Sequence, residues 1–256
     1  MLQCKSWRVA GIMIFILGIS IIWMSIGCGN KGLEESIPSV INNVVHIKNV
    51  TGHCQGSGVL IAPDLILTAR HVVEDSDEFI ITTNDGKKYN SNSAISSKKY
   101  DLGFIKLNIM VTCTTRVGDI NDCRLGQTVF AIGSPYGEEN FNSVTAGIVS
   151  SLARNLEEFG LSESYGWSCT FQTDTAGHPG NSGCPVYSLD GKVRGILVGG
   201  QSNAIIYCVP ACLIANDCQV IQLMFLMDEY KKETEIIDEV YYYQYSGYGK
   251  NNAKVK

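Results

Sequence analysis

The chain has little positive charge in any one place. Its net charge is −5 and no Lys/Arg-rich run occurs, which argues against nucleic acid as a partner. Metal-ligand spacing is missing as well. With four histidines and no CxxC pair among the cysteines, the stretch CVPACLIANDC is not read as a zinc site, and no metal or cofactor is expected. There is no internal repeat and no low-complexity tract apart from a tyrosine-rich tail, which removes repeat architectures. Long helical patterns between the apolar runs are lacking too, and that excludes an alternating βαβ fold.

What is present starts at the N-terminus. The segment MLQCKSWR carries two positive charges, and the run from Val9 to Cys28 carries none. A positive head followed by an apolar run is the pattern of an export signal. The run ends in SIGC, which resembles the lipobox of bacterial lipoproteins with Cys28 as the lipidated residue; Ser25 stands where leucine is usual. An uncleaved signal anchor is the other reading, since the run is long enough to span a bilayer. Both readings place residues 29–256 outside the cytoplasm, either secreted or tethered to the membrane through this segment. Eight cysteines follow Cys28, an even number in an exported chain, which points to disulfides. Cys113 and Cys123 would close a short local loop. The connectivity of the others is not readable.

The chain has 256 residues and 45% hydrophobic content overall, and beyond the N-terminal segment it divides into a polar leader at 29–38, a globular domain at 39–230 and a polar, Tyr-rich tail at 231–256. Within the domain, short runs rich in Val, Ile and Thr recur between turn signals: VVHIKNV, GSGVLIAPDLILTA, EFIITTNDGKKY, DLGFIKLNI, GQTVFAIG, NSVTAGIVSSLA, SCTFQTD, GCPVYSLDGKVRGILVG and NAIIYCVPACLI. These read as strands, with hairpin turns at NDGKK and LDGKV. One helix is expected near the end, capped by Asn216. The fold class is all-β.

Residues 176–186 read AGHPGNSGCPV, a single serine on bare backbone. A surface turn would use the same residues. A nucleophile would use them to expose Ser182 and to aim amide N–H groups at a developing anion. Serine needs a base, and the base needs an orienting acid. His71 ends the strand-turn-strand segment VLIAPDLILTARH and is well placed to face a cleft. Asp101 stands at the mouth of the apolar strand LGFIKL, where partial burial suits it to accept an imidazole N–H. His46, inside a strand-like run, is structural.

In the order His, Asp, Ser, these motifs resemble the trypsin-like serine endopeptidases of the chymotrypsin fold, most closely the HtrA/Deg-type protease domain. The matching stretches are GSGVLIAPDLILTARHVV, YDLGFIKL, GQTVFAIGSPYG, VTAGIVSS and QTDTAGHPGNSGCPV. The order excludes an α/β-hydrolase, and GNSGC does not complete its G-x-S-x-G elbow. The resemblance implies two packed six-stranded antiparallel β-barrels with the active site between them. It assigns catalysis to His71, Asp101 and Ser182, and the oxyanion hole to the backbone of Gly180, Asn181 and Ser182. The implied substrate pocket is lined by Thr175, Ala176, His178, Leu197, Val198 and Gly199. No acid lies at its floor, so a small or aliphatic residue is expected there, from a protein or peptide substrate. The resemblance does not extend to the PDZ domain of typical HtrA proteins, and it leaves the oligomeric state open. Cys184 replaces the usual second glycine after the serine, as half of a disulfide or as a small buried filler; the disulfide is the expectation. The alternative function is a catalytically inactive protease-fold binding protein at the cell envelope.

Overall fold

A computed structural model describes residues 31–97, 100–156 and 170–213. The export segment with Cys28, the stretch 157–169, the expected helix after Asn216 and the tail lie outside these residues. Among the described residues, the first element is helix α1 (Leu33–Val40), which runs across the expected leader boundary. Leu33, Ile37 and Val40 recur at helical spacing and pack on the core, and Ser36 Oγ donates to the Leu189 carbonyl at 2.6 Å.

The first sheet is built from β1 (Val44–Asn49), β2 (Cys54–Ala62), β3 (Leu65–Thr68), β4 (Phe79–Thr83), β5 (Lys88–Ser91), β6 (Ala94–Ser96) and β7 (Gly103–Lys106). Its order is β5-β4-β1-β2-β3-β7-β6, so it is a seven-stranded curled sheet, where six strands closing on themselves were expected. The NDGKK turn joins β4 to β5, with Gly86 in the left-handed region and its N–H donating to the Thr83 carbonyl at 2.8 Å. The short helix α2 (Arg70–Val73) follows β3 and leads to β4.

The second sheet contains β8 (Arg116–Val117), β9 (Thr128–Gly133), β10 (Ser143–Arg154), β11 (Thr170–Thr173), β12 (Pro185–Ser188), β13 (Lys192–Ser202) and β14 (Ile205–Pro210). Its order is β12-β9-β10-β11-β14-β13-β8, and β12 also pairs with β13. Six strands therefore close into a barrel, and β8 adds to β13 in parallel. Buried Arg194, on β13, ties the link between β8 and β9 to the turn between β12 and β13. Its guanidinium donates to the Asp119 carbonyl at 2.6 Å and to Asp190 at 3.0 Å, and Nε donates to Ser188 Oγ at 2.7 Å.

The main apolar core runs through the first sheet and on into the second at Phe130, Ile132, Tyr187 and Val198. A second cluster, with Phe171, Leu197 and Cys208, fills the other part of the closed barrel. Cys54, Cys113, Cys123, Cys184 and Cys208 are free thiols, which corrects the disulfide expectation for them. Cys113 packs with the first cluster and Cys123 with the second, so the proposed local bridge does not form. Cys184 is a buried filler. Cys184 and Cys208 lie across β13 from each other, both opposite Leu197. Two strand spacings put them about 10 Å apart, beyond disulfide reach. Cys169 and Cys218 lie outside the described residues.

Candidate active site

The register of β3 on β7 pairs Thr68 with Gly103. His71 follows Thr68 by one turn of α2 and Asp101 just precedes Gly103, so the pairing brings them together. His71 Nδ1 lies 2.8 Å from Asp101 Oδ2 and 3.1 Å from Oδ1, and the His71 backbone N–H donates to the same Oδ1 at 3.1 Å. Asp101 is fully buried, and the His71 side chain keeps 26% exposure toward the cleft. An imidazole held this way has Nδ1 occupied by the acid and Nε2 on the other side of the ring, the arrangement a general base needs.

Ser182 stands on the second barrel, in a loop built from two consecutive turns. In the first, the Asn181 N–H donates to the His178 carbonyl at 2.9 Å. Pro179 occupies the second position and Gly180, at φ +94°, the third. Proline then glycine at these positions define a type II turn. In the second, the Cys184 N–H donates to the Asn181 carbonyl at 2.9 Å, with Gly183 at φ +85°. Both glycines are required by their surroundings as well as by φ. A methyl group at Gly180 would overlap the Ser134 carbonyl, and one at Gly183 would overlap Thr68 Oγ1 and the Ser57 carbonyl. Gly183 thus packs on the end of β3, just before His71, while a methyl at Gly56 would lie 2.8 Å from the Ser182 carbonyl.

Carbonyl directions fix the amide directions. The Pro179 carbonyl accepts the Tyr136 N–H at 2.7 Å, and the Asn181 carbonyl accepts the Cys184 N–H. Every described peptide is trans, so the Gly180 and Ser182 N–H groups point the opposite way. Among the described residues, neither N–H donates to a backbone carbonyl. Asn181 departs from expectation: its N–H closes the turn on His178 and is not available to an oxyanion. Burial pushes the Cys184 thiol well above its ordinary range, so the sulfur beside Ser182 is protonated and unreactive.

A cavity of about 320 Å³ opens beside Ser182. Of the expected pocket residues, His178, Leu197 and Gly199 line it. Thr175, Ala176 and Val198 do not: Thr175 is fully buried, and Val198 belongs to the main core because alternation along β13 turns it away from Leu197. Gly177 and Gly200, from the same two segments, line it as well, and Ile206 joins them from outside those segments. Ile206 comes from β14, and only strand pairing reveals that it faces Gly177, where an added methyl would touch its Cδ1 at 2.5 Å. Among the described residues, no Asp, Glu, Lys or Arg lines the cavity. His178 stacks on Tyr136 at 5.4 Å between ring centroids, and its Nδ1 lies 3.2 Å from the Tyr136 hydroxyl. Among the described residues, no His, Cys, Asp and Glu cluster is arranged to hold a metal.

Residues 56–196 match the family model of the trypsin-like peptidase domain, and the chain belongs to that family. Among curated relatives, a protein of Halomonas elongata named as a probable periplasmic serine endoprotease DegP-like is 40% identical over 142 residues, 55% of this chain and 28% of the relative. A protein of the same name from Ectopseudomonas mendocina is 40% identical over 164 residues, covering 64% of this chain and 33% of the relative. The chain thus spans about a third of the length of the curated relatives it matches. Among solved structures, the HtrA-type protease AlgW with tripeptide is 26% identical with a TM-score of 0.64, covering 73% of this chain and 62% of that one.

Proposed function

We propose that the chain is a serine endopeptidase that cleaves proteins or peptides through an acyl-enzyme. The observation that carries this is the buried Asp101 carboxyl, 2.8 Å from His71 Nδ1, together with a Ser182 loop whose Pro179, Gly180 and Asn181 carbonyls are tied back while the Gly180 and Ser182 N–H groups bond no backbone carbonyl among the described residues. Ser182 Oγ attacks the scissile carbonyl. His71 Nε2 takes the hydroxyl proton and passes it to the departing amine, and Asp101 stabilises the imidazolium. The Gly180 and Ser182 N–H groups hold the oxyanion, each contributing roughly 3–4 kcal/mol to transition-state stabilisation. Water, activated by the same histidine, then releases the acid product. The cavity beside Ser182, apolar at Leu197 and Ile206 and without charged side chains among the described residues, suits an aliphatic residue before the scissile bond. The alternative of an inactive binding protein is disfavoured because it calls for a displaced turn, and the Pro179 and Gly180 carbonyls have partners elsewhere.

The periplasmic names of the relatives support an extracytoplasmic site of action. We read residues 1–28 as the export segment and membrane tether, with Cys28 as the lipid attachment point. The test is digestion of an unfolded protein and a peptide library by the purified protein beside Ser182→Ala and His71→Ala. Cleavage by the parent alone, after Val, Ala, Ile or Leu, is expected. Equal cleavage by all three, or none by a folded parent, would refute the reading.

A further inference from the structure

Ser57, on β2 of the first sheet, is fully buried and bonded on every polar atom. Its N–H donates to the Ser182 carbonyl at 2.8 Å. Its carbonyl accepts the Thr68 hydroxyl at 2.7 Å. Its own hydroxyl donates to the Gly180 carbonyl at 2.8 Å and accepts the Ser134 N–H at 2.9 Å. One residue of the first sheet therefore touches the nucleophile's backbone, the turn that precedes it, the strand leading to His71 and the loop that follows β9.

We propose that Ser57 is a positioning residue that holds the oxyanion turn in its productive form. The inference rests on the reading of Ser182 as nucleophile and Gly180 N–H as oxyanion donor. A Pro-Gly turn can convert between type II and type I by rotating its central peptide, and that rotation carries the Gly180 N–H away from the hole. Two ties oppose the rotation. The Tyr136 N–H holds the Pro179 carbonyl, and the Ser57 hydroxyl holds the next carbonyl, that of Gly180. The same hydroxyl anchors Ser134, two residues before Tyr136, so it sets both ties. A hydroxyl is suited to this because it donates and accepts at once. The nucleophile itself is held differently, through the backbone N–H of Ser57, which any side chain at 57 would leave in place.

That separation makes the role testable. In Ser57→Ala the turn loses its tie while the Ser182 carbonyl keeps its own. Per active site, counted by burst titration, kcat on a fluorogenic peptide should fall at least about tenfold. KM and the acidic limb of the pH profile, which reports His71, should stay as in the parent. An unchanged kcat per titrated site would overturn the proposal, whether or not the variant is less stable. So would a fall confined to the fraction of titratable sites, which marks a folding role alone. If Ser57→Ala does not fold, Ser57→Cys keeps the volume with a weaker donor and is judged by the same criteria. A folded parent that fails to burst or cleave defeats the reading of Ser182, and this proposal with it; an active parent with an equally active Ser57→Ala defeats this proposal alone.

Discussion

Asp101→Asn is the substitution for which the structure makes the sharpest prediction. Asp101 offers one oxygen, Oδ1, to the His71 backbone N–H at 3.1 Å, and the other, Oδ2, to Nδ1 at 2.8 Å. In the Asp101→Asn variant the side chain has one oxygen and one NH₂. The backbone N–H cannot change character, so it claims the oxygen, and the NH₂ turns toward the imidazole. A donor facing Nδ1 favours the ring form with its proton on Nε2, the wrong tautomer to accept the proton of Ser182. The fold keeps its shape, because volume and the backbone contact are conserved. The expected loss in kcat is about 10⁴-fold, or about 5–6 kcal/mol at 1.36 kcal/mol per decade. Single-turnover acylation by a fluorogenic ester, with circular dichroism to establish folding, measures it. A loss of less than about tenfold in a folded variant would show that the His71–Asp101 contact does not set the tautomer.

Three further outcomes follow from neighbouring geometry. Gly180→Ala puts a side chain at φ +94° and against the Ser134 carbonyl; kcat should drop about 10²-fold, and a change under threefold would refute the hole assignment. Ile206→Ala enlarges the cavity, so kcat/KM should shift from Val toward Leu and Phe before the scissile bond, at a stability cost of about 2–4 kcal/mol; an unaltered peptide profile would remove Ile206 from the pocket. Burial lowers the pKa of His46 below its ordinary 6.5, against its hydrogen bond to Gln55 Oε1 and the nearby Glu138, which raise it. His46 is neutral in both states above that pH. Below it the unfolded chain takes a proton that the folded one resists, so stability falls as the pH drops from about 6.5. Urea midpoints between pH 7.5 and 5 should show this fall in the parent and less of it in His46→Gln; parallel curves would refute it.

Much of this was legible in the chain. Strands announce themselves by β-branched runs between turn residues, and the two hairpin turns by Asp-Gly pairs. His71, Asp101 and Ser182 are each marked by local context, a strand end or a glycine-rich loop. The rest depends on pairing, which one strand does not encode. Ile206 enters the cavity because β14 lies beside β13 and faces Gly177. Val198 leaves it because its neighbour Leu197 takes the pocket side. Ser57 sits in a stretch that reads as ordinary strand, and only the docking of two sheets gives its hydroxyl the Gly180 carbonyl. The count and spacing of cysteines suggested bridges, whereas Cys184 and Cys208 ended on opposite sides of one strand. Helix α1 is hidden in the sequence because Pro38 and the polar residues around it mask a short apolar spacing.

The central claim is that Ser182 is an activated nucleophile. A fluorophosphonate probe applied to the folded protein, followed by mass spectrometry of the peptide that contains Ser182, tests it most directly. The account predicts a single phosphonylated residue, Ser182, in the parent, and no labelling in His71→Ala. Labelling elsewhere, or Ser182 labelled as quickly without His71 as with it, would contradict it.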